Sequence, residues 1–82
     1  MNVVELTKSL ISCPSVTPKN EGVLDLLQKE LTDMGFTCNR YLFSDTDTPD
    51  VDNLFAKIGS GAPHLCFGGH TDVVPVGDEN AW

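Results

Sequence analysis

Apolar residues recur at helical spacing in two stretches near the start of the chain. Val3, Leu6 and Leu10 fall at i, i+3 and i+7, with Ile11 beside them, which places them along one side of a helix. Asn2 stands where an N-cap belongs. Pro14 ends the run, because proline drives the residue before it out of helical conformation. Leu24, Leu27, Leu31 and Met34, joined by Val23, form a second stripe. The pattern predicts a helix opened by Thr17 as N-cap, with Pro18 in the first helical position and Glu21 near the positive end of the dipole. Gly35 sits where a helix passes into a left-handed residue. The leucine stripe reads as core packing.

Beyond Gly35 the residues favour extended chain. Phe36 to Phe43 is rich in aromatic and β-compatible residues and reads as a strand. Ser44 to Asp50 is a polar, acidic loop. Asn53 to Ile58 reads as a second strand, Gly59 to Pro63 as a turn, and His64 to Gly69 as a third strand. Leu65-Cys66-Phe67 is apolar on both faces, which predicts a strand covered from both sides. The second and third strands are close enough to form a hairpin. The order helix, helix, strand, strand, strand is that of an α/β sandwich in its opening part. Two helices hardly cover both faces of a buried strand, so the architecture is expected to be incomplete, with Trp82 packing against residues outside the chain.

Composition narrows the function classes. The 82 residues make at most one small domain. A net charge of −7 repels phosphate backbones and anionic headgroups, so neither nucleic acid nor membrane is an expected partner. The N-terminus lacks the basic and apolar regions of a signal peptide. Cys13, Cys38 and Cys66 form no CxxC pair and are expected to be reduced, semi-buried thiols, which fits the cytoplasm. Asp45, Asp47, Asp50 and Asp52 invite a calcium reading. Pro49 in their midst, and the missing central glycine and terminal glutamate, argue instead for a solvated loop, with Asp52 bonding the turn backbone. Asp78 and Glu79 read as an exposed loop.

The candidate chemistry lies in Gly68-Gly69-His70-Thr71-Asp72-Val73-Val74-Pro75. Residues two apart in extended chain point the same way, so His70 and Asp72 are expected to project together. A metal-binding histidine usually donates its other ring N–H to a carboxylate, a role open to Asp72, which could also be a ligand itself. Gly68 and Gly69 would permit a close approach by a neighbouring element or ion. On these residues alone a metal ligand and a hydrogen-bonded histidine at a strand end both stand. Zinc needs three or four donors. His64, at the far end of the same strand, would lie roughly 20 Å away at ~3.3 Å per residue.

The run from Gly68 to Asp78, with Ala81-Trp82 beyond it, resembles the first metal-binding motif of the zinc aminoacylase and carboxypeptidase family. Leu10 to Pro18, Leu31 to Phe36 and Val51 to Ala56 also resemble segments of that family. The resemblance implies a two-metal, aminopeptidase-like α/β sandwich, of which residues 1–82 would be the N-terminal portion of the catalytic domain. It implies His70 as a ligand to one of two zinc ions (cobalt being a possible substitute) and Asp72 as the acidic residue that holds the ring and counts as catalytic. The bridging aspartate, two further acidic ligands, the glutamate base and the second histidine would come later, so the chain alone is expected to be inactive. The branch most resembled hydrolyses N-succinyl-L,L-2,6-diaminopimelate, with acetylornithine deacetylation or peptide cleavage as alternatives. It also implies a small-molecule substrate and a homodimeric complete enzyme. A different class, a stand-alone domain that binds a partner without catalysis, is the other reading.

Overall fold

The computed structural model describes residues 1–82. As the sequence predicts, the Asn2 side chain accepts the Glu5 N–H at 2.9 Å and opens α1 (Val3–Ile11). The helix stops where Ser12 turns its hydroxyl back onto the Lys8 carbonyl at 2.8 Å. Leu6 and Leu10 are half-buried, whereas Val3 and Ile11 are exposed.

The second helix, α2 (Val23–Asp33), starts at Val23 rather than at Pro18. Two local interactions displace the expected start. The Thr17 hydroxyl is engaged elsewhere, by Asp72, so it caps nothing. The Asn20 side chain accepts the Gly22 N–H at 2.9 Å, and its carbonyl accepts the Val23 N–H at 2.9 Å. An asparagine that bonds the backbone two residues on favours a turn over a helix. Glu21 and Gly22 at the centre of that turn have φ of 50° and 87°, a left-handed conformation incompatible with a helical first turn. The other end behaves as expected. Gly35 has φ 99°, with Phe36 N–H on the Leu31 carbonyl and Gly35 N–H on the Thr32 carbonyl, both at 3.0 Å. These two bonds make a Schellman cap, which consumes two carbonyls the helix leaves free.

The cap directs the chain into β1 (Thr37–Asp45), which pairs antiparallel with β2 (Thr48–Lys57) in a two-stranded sheet. Both strands run longer than predicted. Most of the expected acidic loop is extended chain, pairing Phe43 with Val51 and Asp45 with Thr48 across a bulge. Only Thr46 and Asp47 remain in the turn, where Asp45 Oδ1 accepts the Thr46 N–H at 2.7 Å. The hairpin thus joins the first two strands rather than the second and third.

α2 packs on one face of this hairpin. Cys38, Arg40, Asp52, Leu54 and Ala56 alternate along that face and are half-buried. Arg40 holds the layers together. Its Nη2 and Nε grip both oxygens of Asp52, the Nε bond measuring 3.1 Å, while Nη1 reaches Asp25 at 2.7 Å and Gln28 at 3.0 Å on α2. Asp52 therefore bonds a guanidinium and not the turn backbone. Arg40 holds the Asp52 carboxyl below the usual carboxylate range, and Asp52, followed by Asp25, holds the guanidinium above its ordinary value.

The third strand does not form. Gly59 to Asp72 makes no backbone–backbone hydrogen bond, and Leu65 and Phe67 are 82% and 88% exposed. The reason is partnership. β1 and β2 pair only with each other and leave their outer edges free, but a segment apolar on both faces has no layer here to cover it. Tyr41, Phe43, Val51 and Phe55, on the far face of the hairpin, are likewise exposed. Only Ser15, Val23 and Leu24 are buried. The radius of gyration of 14.9 Å exceeds the about 12 Å of a closed domain of this length. One helix on one face of a two-stranded sheet, with α1 resting on that helix alone, is an α/β arrangement, but not yet a sandwich.

Candidate metal centre

Two loops distant in sequence meet to build the site. Residues 13–18, between the helices, lie beside residues 71–73. Val73 N–H donates to the Ser15 carbonyl at 3.0 Å and Thr17 N–H to the Val73 carbonyl at 3.1 Å, forming a single parallel bridge between Val16 and Val73. Ser15 is 2% exposed, and its hydroxyl donates to the Thr71 carbonyl at 2.7 Å. A buried hydroxyl needs such a partner, and this one clamps the motif to the loop just before Asp72.

Asp72 is held at both oxygens. The Thr17 hydroxyl donates to Oδ2 at 2.5 Å, and Oδ1 lies 2.9 Å from His70 Nδ1. These contacts, the Thr17 bond foremost, keep the Asp72 carboxyl below the usual carboxylate range. His70 and Asp72 thus come together as expected, but not through strand alternation. Nδ1 also lies 3.0 Å from the main-chain oxygen of Asp72, so the chain curls around the ring.

This geometry fixes the tautomer. Both atoms facing Nδ1 are oxygens that only accept, so Nδ1 must carry the proton. In the neutral ring Nε2 then keeps its lone pair. The His70 side chain is 83% exposed, leaving that lone pair open to an approaching cation. Thr17, Asn20, Asp52, His70 and Asp72 help to line an open cleft of about 1030 Å³.

The donor set fits part of a metal site. One imidazole with a free lone pair and an anionic carboxylate behind it is the usual arrangement of a zinc histidine. No group of three His, Cys, Asp or Glu residues is arranged to hold a metal ion, so residues 1–82 do not make a complete site by themselves. Gly68 and Gly69 show no close approach, because a Cβ at either would meet open space. The three cysteines are free thiols; Cys13 and Cys38 are half-buried, whereas Cys66 is exposed because its strand is unformed. Asp78 caps a single 3₁₀ turn, Glu79–Ala81, accepting the Asn80 N–H at 3.0 Å. Trp82 is exposed and donates its indole N–H to the Val76 carbonyl at 3.1 Å.

The local pattern assigns Thr17 the role of a helix cap and gives Ser15 none. The available signal was the proximity of two hydroxyls to Pro14 and Pro18, a stretch whose backbone cannot be helical throughout and whose side chains are therefore free to bond elsewhere.

No family model matches the chain. It is 56% identical over 79 residues to a succinyl-diaminopimelate desuccinylase of Rhodopseudomonas palustris (strain HaA2), covering 96% of this chain and 20% of that protein. Proteins of the same name from Parvibaculum lavamentivorans and Bradyrhizobium diazoefficiens are 57% and 54% identical over 96% and 99% of this chain, and 20% and 21% of their own lengths. The chain therefore spans about a fifth of the curated relatives it matches. Across nearly all of its length, and not in the histidine motif alone, it is similar to succinyl-diaminopimelate desuccinylase.

Proposed function

We propose that residues 1–82 are the N-terminal part of the catalytic domain of a two-zinc amide hydrolase. It converts N-succinyl-L,L-2,6-diaminopimelate and water to succinate and L,L-diaminopimelate. The observation that carries this reading is the His70 ring, with its Nδ1 proton held by Asp72 and its Nε2 lone pair open. Similarity over nearly the whole chain to proteins named for desuccinylation supports the substrate. The unpartnered apolar faces of the hairpin and of residues 65–67 support placement within a larger domain.

The residues here have defined tasks. His70 would hold one zinc through Nε2. Asp72 would keep the ring proton on Nδ1 and raise the basicity of the opposite nitrogen. Ser15 fixes the backbone that leads into Asp72. When bound, the metal pair supplies polarisation of the amide carbonyl and a water acidic enough to deprotonate near neutral pH. A cytoplasmic location, where thiols stay reduced, and a homodimeric complete enzyme belong to the same proposal.

The test is hydrolysis by the full product of the gene that carries this chain. Zinc-dependent release of succinate is expected, with Asp72→Ala weakening metal binding or activity about 10- to 100-fold. Release of acetate from N-acetylornithine instead would reassign the substrate, and no hydrolysis of either compound would refute the proposal.

A further inference from the structure

Thr17 stands apart in sequence from the histidine motif and is not a ligand in the reading above. We infer that Thr17 is a positioning residue, whose hydroxyl, anchored by the bridge between Val16 and Val73, locks the Asp72 carboxylate in the rotamer that holds the His70 proton on Nδ1. The inference rests on the proposed role of His70 for its functional meaning, but its geometry stands independently.

An aspartate has two equivalent oxygens and a soft χ2, so contact with the imidazole alone would leave the carboxylate free to swing. Here Oδ2 is occupied by Thr17 Oγ1 at 2.5 Å, and Oδ1 is thereby aimed at Nδ1 at 2.9 Å. The hydroxyl can do this only if residue 17 stays fixed. Two contacts hold it in place. The Thr17 N–H is itself bonded to the Val73 carbonyl, so donor and acceptor side chains spring from backbones tied to each other. On the other side of the loop, Asn20 Nδ2 donates to Asp52 Oδ2 at 3.2 Å, which links the loop to the Arg40 clamp between hairpin and α2. The mutually anchored pair is thus supported from the body of the molecule. A neutral imidazole that loses the Asp72 carboxylate keeps only the Asp72 main-chain oxygen at 3.0 Å on Nδ1, and its proton moves in part to Nε2, the nitrogen that must be bare to bind a cation. Thr17 therefore acts on the ligand through the aspartate, and its β-branched, restricted χ1 suits that role.

The experiment is long-range proton–nitrogen correlation NMR on the ¹⁵N-labelled 82-residue chain, about two pH units above the ordinary imidazole pKa of about 6.5. In the unsubstituted chain His70 should show the Nδ1–H form, and Thr17 a single χ1 rotamer by its scalar couplings. Thr17→Val, which keeps shape and loses the donor, should raise the Nε2–H population measurably while the Asp72 main-chain oxygen still holds part of the proton on Nδ1, and Thr17→Ser should retain the Nδ1–H form. Averaged Thr17 couplings in the unsubstituted chain, or an unchanged tautomer in a folded Thr17→Val chain, would overturn the inference. Adding Co²⁺ separates the two ideas. If the tautomer behaves as stated but His70 Nε2 shows no paramagnetic broadening in the full product of the gene that carries this chain, the metal reading fails and the positioning role survives.

Discussion

Replacing Arg40 with methionine keeps most of the aliphatic stem and removes every bond the guanidinium makes. The arm to Asp25 contributes little, since that carboxylate is 75% exposed and exposed ion pairs are worth up to about 1 kcal/mol. The arm to Asp52 dominates. Its two side chains are 24% and 19% exposed and meet in a two-pronged contact. Breaking a fully buried pair costs about 3–5 kcal/mol because a charge is left stranded. Here water still reaches the carboxylate, and Asn20 keeps one bond to it. A loss of about 2 kcal/mol is expected, between the exposed and buried limits. A chain of this length has a total stability of about 4 kcal/mol at the low end of the usual range, so this would be a large fraction. Urea unfolding followed by circular dichroism should show a midpoint about 2 M lower at a slope of about 1 kcal/mol/M. Asp52→Asn in the Arg40→Met background should add less than it does alone, since the partner is already gone. An Arg40→Met midpoint within about 0.5 M of the unsubstituted chain, or strictly additive substitutions, would refute the clamp.

Other expectations follow from the same structure. Arg40 lowers the folded-state pKa of Asp52, so the pair stabilises the chain fully above the unfolded aspartate pKa of about 3.9. That contribution is lost as pH falls through the lower, folded value, and a pH series of urea midpoints should lose this acid-side dependence in Asp52→Asn. Gly35→Ala should cost about 1 kcal/mol by the same assay, because a Cβ strains the left-handed cap even though its nearest neighbour, Ile58 Cδ1, is 3.8 Å away. Leu24→Ala should cost about 2 kcal/mol, whereas Phe67→Ser should change stability by under about 0.5 kcal/mol. Cys66 should react with a thiol reagent before Cys13 or Cys38, with mass spectrometry of the timed digest as the readout, because it alone of the three is exposed.

What could be read from the residues divides along local and non-local lines. Asn2, Gly35 and the leucine stripe act on neighbours within one or two turns, and α1 and the end of α2 follow from them. The start of α2 was misread because Thr17 and Pro18 have the local chemistry of a helix opening. The Thr17 hydroxyl is claimed by Asp72, 55 residues away, and no local pattern announces that. The third strand shows the converse. Leu65, Cys66 and Phe67 suit a buried strand, but a strand apolar on both faces needs a layer on each side, and the chain packs none against them. At the site, the pairing of His70 with Asp72 was legible from their spacing, although the backbone achieves it by curling. The support from Ser15 and Thr17 was not, because it depends on which loop the fold brings alongside.

The central claim concerns the His70 Nε2 lone pair, and paramagnetic NMR reads it directly. Co²⁺ titrated into the ¹⁵N-labelled full product of the gene that carries this chain should broaden His70 Nε2 first, then the amides of Thr71 and Asp72, and this pattern should fade in Asp72→Ala. Broadening centred on the acidic turn at Asp45 and Asp47, or on Nδ1 rather than Nε2, would contradict the account.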